Sequence, residues 1–83
     1  MKTISEDFNY RLRIIGDNLR QVRNAQKRSL QAVSRALKIS QGRLEEIEKG
    51  EYDMELGLLI DLCRYYHVKA ADIVSEGFKY SVE

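Results

Sequence analysis

Residues 29–50, SLQAVSRALKISQGRLEEIEKG, constrain this chain more than any other stretch. They hold two helical patterns of about two turns each, and each opens on a serine. Ser29 can cap a helix over 30–37, where Leu30, Val33, Ala36 and Leu37 follow a 3.6-residue period. Ser40 can cap a second over 41–49, with Leu44 and Ile47 inward and Gly50 just past Lys49. Helices this short are unstable alone, because nucleation costs more than so few backbone hydrogen bonds offset. They must pack on another element of the chain.

The upstream segment provides one. Phe8, Leu12, Ile15, Leu19 and Val22 recur at spacings of 4, 3, 4 and 3, which predicts an amphipathic helix over about 6–26. Ser5 marks its start, with Glu6 and Asp7 at the positive end of the dipole. Gly16 sits inside it at a cost of about 1 kcal/mol relative to alanine. Either it breaks an N-terminal extension (1–14) from the helix proper, or it admits another helix closely.

Downstream, 54–66 reads as a fourth helix with Leu56, Leu59, Ile60, Cys63 and Tyr66 or Leu62 inward. His67-Val68 reads as a turn, and 70–75 as a last short helix that ends a domain spanning 15–75. In the tail, 76–83, Phe78, Tyr80 and Val82 alternate with Lys79, Ser81 and Glu83. Period two predicts a short strand after Gly77. Only residues 2–4 offer a partner within the chain, so the tail pairs with another copy, docks its aromatics on a neighbour, or frays.

With 83 residues the chain makes one domain and buries about 60% of its unfolded surface. No signal peptide is expected from its first residues, and no apolar run is long enough for a membrane span. The single Cys63 cannot form an internal disulfide, which suits a reducing cytoplasm. The net charge of +1 conceals segregation. Residues 18–44 carry seven bases and no acid, whereas 45–83 carry four bases and ten acids. The basic block coincides with the paired short helices and is an electrostatic footprint for a polyanion.

Two short helices across a tight turn are the unit that seats a helix in the DNA major groove. The ordered set Ile15-Gly16, Leu19-Arg20, Arg23, Ser29 to Glu48-Lys49-Gly50, then Leu59, Leu62, Cys63, Val68 and Ile73 resembles the Cro/phage-repressor (XRE-like) type of helix-turn-helix DNA-binding domain. The resemblance implies an all-α, five-helix, lambda-repressor-like fold, to which the chain's own pattern adds a long N-terminal helix and a short C-terminal strand. It also implies a cytoplasmic transcriptional regulator that binds double-stranded DNA sequence-specifically as a homodimer. Tyr52, Tyr65, Phe78 and Tyr80, taken as exposed, would form the dimer surface. In such a fold Arg23 lies against Glu48 and fixes the third helix on the first. Departures from the family pattern are Leu30 in place of a phosphate-contacting glutamine, Ser34 in place of alanine, Lys38 in place of glycine, and Glu51 and Asp53 in place of bases.

The third helix is the expected reader. Gln41 can form a bidentate contact to adenine, Arg43 can reach guanine or phosphate, and Glu46 can accept from cytosine. Gly42 brings the backbone close to the groove, and the capping Ser40 belongs to the same edge. The second helix is expected to aim its N-terminus at a phosphate, aided by Arg28, Ser29 and Gln31. Arg23, Lys27, Lys38 and Lys49 are further phosphate candidates. No cofactor or metal is expected, since Cys63 and His67 alone do not make a zinc site. The chain is not expected to be an enzyme. A second reading is a protein-interaction module on the same fold, such as an antitoxin or an anti-regulator, that engages a protein partner through the acidic half.

Overall fold

The structure, a computed structural model, describes residues 4–80, with side chains from residue 7 onward. Five helices follow in order: α1 (Ile4–Ala25), α2 (Leu30–Leu37), α3 (Gln41–Glu48), α4 (Leu56–Tyr66) and α5 (Ala70–Ile73). No strand occurs among the described residues, and the fold is all-helical. α1 packs on α3 and α5, α2 on α3, and α4 on α5. No described helix is long and apolar enough to cross a membrane.

Both serines cap as their positions predict. The Ser29 hydroxyl accepts from the Ala32 amide at 3.0 Å, and the Ser40 hydroxyl from the Arg43 amide at 3.0 Å. Each satisfies one of the amides that a helix start leaves without a partner. α2 ends on Lys38, whose φ of 57° and ψ of 42° are left-handed. That conformation strains a residue with a Cβ, by about 1–2 kcal/mol. Hydrogen bonds hold it: the Lys38 and Ile39 amides both donate to the Ser34 carbonyl, and the Ser34 hydroxyl donates to the Ile39 carbonyl. The serine at 34 therefore secures the turn between α2 and α3.

α1 is one unbroken helix, so Gly16 marks a close approach and not a break. A Cβ at Gly16 would lie 2.4 Å from the Ile47 carbonyl oxygen and 2.7 Å from that of Glu48. Gly50, with φ of 74°, brings the chain equally close to Arg13. The C-terminal end of α3 is thus pressed against the backbone of α1.

The core comprises Leu19, Val22, Val33, Leu44, Ile47, Leu59, Leu62, Cys63, Tyr66 and Ile73. Burying such side chains stabilises by roughly 1.5–3 kcal/mol each. Inside it, the Asn18 amide nitrogen donates to the carbonyls of Ile73 at 2.7 Å and Ser75 at 2.9 Å. One polar side chain of α1 thereby ties down the last helix.

Three expectations need correction. Leu56 is 70% exposed and Ile60 also faces solvent, because α4 turns Leu59, Leu62, Cys63 and Tyr66 inward. Phe8 and Ala36 are exposed, leaving the apolar stripes of α1 and α2 shorter than their spacing suggests. Phe78–Tyr80 form no strand, and the tail docks on its own α1. Gln21 provides what a strand partner would: its Nε2 donates to the Phe78 carbonyl at 3.2 Å, and its Oε1 accepts from the Tyr80 amide. Residues 81–83 and the proposed partner strand's residues 2 and 3 lie outside the described residues.

Candidate nucleic-acid interface

The position of α3 is fixed from behind by one ion pair. Arg23 Nε donates to Glu48 Oε2 at 2.7 Å, and Nη2 to Oε1 at 3.0 Å. The side chains are 13% and 6% exposed, so water screens the pair little. Glu48 holds the Arg23 guanidinium above its ordinary pKa, against the opposing effect of burial. Arg23 Nη1 also donates to the Arg28 carbonyl at 3.0 Å. One guanidinium thus links α1, α3 and the loop before α2, and its engaged donors place it in the framework behind α3.

α3 divides cleanly by burial. Leu44, Ile47 and Glu48 are buried, whereas Gln41, Gly42, Arg43, Glu45 and Glu46 are exposed. A Cβ at Gly42 would meet nothing within 4 Å, so the backbone there is open to approach. Arg43 does not hang free. Its guanidinium lies 3.9 Å from the Tyr52 ring centroid, and its Nε is 3.7 Å from Glu46 Oε1. Both charges are about half exposed, so the ion pair adds little stability, but it brings acid and base together on the outer row. Lys49 is exposed at the end of the helix.

The N-terminus of α2 faces solvent. Ser29 and Gln31 are exposed there, and the first-turn amides of Leu30 and Gln31 lack intrahelical partners by the geometry of a helix start. Arg28 is half-buried: its Nε donates to Gln26 Oε1 at 2.7 Å and its Nη1 to the Tyr65 hydroxyl at 3.1 Å. Lys27 and Lys38 are exposed, both with φ of 57°.

Tyr52, Tyr65, Phe78 and Tyr80, expected as an exposed dimer surface, instead pack partly buried against the core. Two of them stack with or hydrogen-bond arginines, Tyr52 with Arg43 of α3 and Tyr65 with Arg28 just before α2. Sequence reasoning missed these aromatic–arginine contacts, and also Asn18, Gln21 and Gln26. The only signal for the last three was their place on, or just past the end of, a helix whose apolar stripe they interrupt or flank.

No curated protein and no solved structure shows significant similarity to the chain. The sequence profile of the helix-turn-helix domain family matches residues 14–74. That match takes in α2 and α3 whole, together with the α1 residues that hold them, so the chain belongs to the helix-turn-helix domain family.

Proposed function

We propose that this protein binds double-stranded DNA sequence-specifically, as a transcriptional regulator of the Cro/phage-repressor (XRE-like) type, with α3 in the major groove. One observation carries the reading. α3 is locked from behind by the Arg23–Glu48 pair and the Gly16 contact, while its outer row is exposed. A reading element must be rigid relative to its anchors to discriminate bases. Ser40, Gln41, Gly42, Arg43 and Glu46 form the reading edge, with Lys49 beyond it. Arg28, Ser29, Gln31 and Lys38 are the phosphate contacts, and Arg23 acts through Glu48. Residues 18–44, with seven bases and no acid, provide the attraction to the duplex. A homodimer on half-sites about one helical turn apart belongs to the same proposal.

Fluorescence anisotropy with a random-sequence duplex over a range of salt tests the binding. Affinity should fall steeply and log-linearly with salt. Absence of binding at low salt would contradict the proposal.

A protein-interaction role has one observation in its favour. Leu56 and Ile60 expose apolar surface on α4 beside the exposed acids Glu55 and Asp61. Tight capture of one protein partner without DNA affinity would select that reading.

A further inference from the structure

The C-terminal segment and the N-terminus of α2 are connected by a chain of side chains. Gln26 is its centre. Its Nε2 donates to the Tyr66 carbonyl at 2.8 Å and to the Tyr80 hydroxyl at 3.0 Å. Its Oε1 accepts from Arg28 Nε at 2.7 Å. These contacts fix the orientation of the amide. A flip would turn its oxygen on the Tyr66 carbonyl and its NH2 on a guanidinium, each facing a group of its own kind. Arg28 is held on its other side by the Tyr65 hydroxyl, with its guanidinium carbon 4.6 Å from that ring's centroid.

Arg28 directly precedes Ser29, the cap of α2. An arginine has five N–H donors, and these contacts engage two, leaving three for an anion. A loosely held arginine loses up to about 2 kcal/mol of side-chain entropy when it is immobilised on a ligand. Much of that loss is already met where the side chain is held before binding.

We infer that Gln26 and Tyr80 are positioning residues for phosphate binding: the chain Tyr80–Gln26–Arg28–Tyr65 holds Arg28 ready at the N-terminus of α2. The tail is then a working part of the interface, though it lies beyond the residues matched to the family. The inference rests on the DNA-binding reading above.

The test compares wild type, Tyr80→Phe, Arg28→Ala and the double variant for binding to a random-sequence duplex across salt. Tyr80→Phe keeps the ring and removes only the hydroxyl that Gln26 uses. It should weaken binding about threefold, the size of one net hydrogen bond. Arg28→Ala should weaken binding and lower the salt slope by about one. Tyr80→Phe should then add nothing to Arg28→Ala. An equal effect of Tyr80→Phe in both backgrounds, or none in either, overturns the inference. Wild type that fails to bind at low salt overturns the DNA-binding reading and the inference with it, and is seen before any variant is compared. In the protein without DNA, the Arg28 Nε–H should exchange faster with solvent in Tyr80→Phe. Unchanged exchange would overturn the positioning link independently of any DNA result.

Discussion

At the residue scale, Arg23 decides most. Its bidentate contact leaves a carboxylate buried if the arginine is removed. Arg23→Ala should therefore lower unfolding stability by about 3 kcal/mol in a denaturant titration, and an unchanged midpoint would argue that the pair is dispensable. Tyr66 is a different case. Its hydroxyl is buried with no hydrogen-bond partner among the described residues. Burial, reinforced by the nearby Glu48 charge, pushes its pKa well above that of a free tyrosine. The folded state thus favours the protonated form. Its contribution to stability is complete below about pH 10, where the unfolded tyrosine ionises, and is lost as pH rises further. Tyr66→Phe should be neutral or stabilising by about 1 kcal/mol at pH 7. It should also lose less stability than wild type between about pH 9 and 11. Equal alkaline losses in both proteins would contradict that assignment.

At the element scale, the closest fit is α3 on α1. A Cβ at Gly16 would press on backbone oxygens of Ile47 and Glu48, which cannot rotate aside. Gly16→Ala should cost about 1–3 kcal/mol and also weaken DNA binding by displacing α3, measurable by thermal unfolding and anisotropy together. Lost stability with unchanged binding would separate α3 placement from function. The elements differ in how plainly the sequence announced them. α2 and α3 were legible because caps and period are local signals, and Ser29, Ser40, Val33, Leu44 and Ile47 all fall where spacing puts them. The Arg23–Glu48 pair came from resemblance, since no local pattern joins residues so far apart. The facing of α4 was not legible: LGLLIDLC places apolar side chains on nearly every face, so periodicity alone could not choose. The tail's alternation was real but misleading. Phe78 and Tyr80 both pack down on the core, and Gln21 makes the hydrogen bonds that a strand partner would make.

At the scale of the whole molecule, the two halves differ in charge and in role. The basic block covers the end of α1, the loop after it, α2 and the first half of α3, whereas α3 itself closes on Glu45, Glu46 and Glu48 and the chain beyond it is mostly acidic. The framework of α1, α4, α5 and the tail serves to hold two short helices that could not stand alone. Sequence reading could put the α3 candidates on one exposed row because that helix is short and well phased. It did not find how Arg43 and Arg28 are held, because Tyr52 comes from the irregular loop after α3 and Tyr65 from α4, where no helical period links them to the arginines. The most direct test of DNA reading is selection of bound duplexes from a random pool, carried out with wild type and with Gln41→Ala. Wild type should enrich a defined site, with half-sites about one helical turn apart if it acts as a dimer. Gln41→Ala should relax the preference at one position at a cost of about 1–3 kcal/mol. A pool that stays random for wild type, or an identical site for both proteins, would contradict readout by α3.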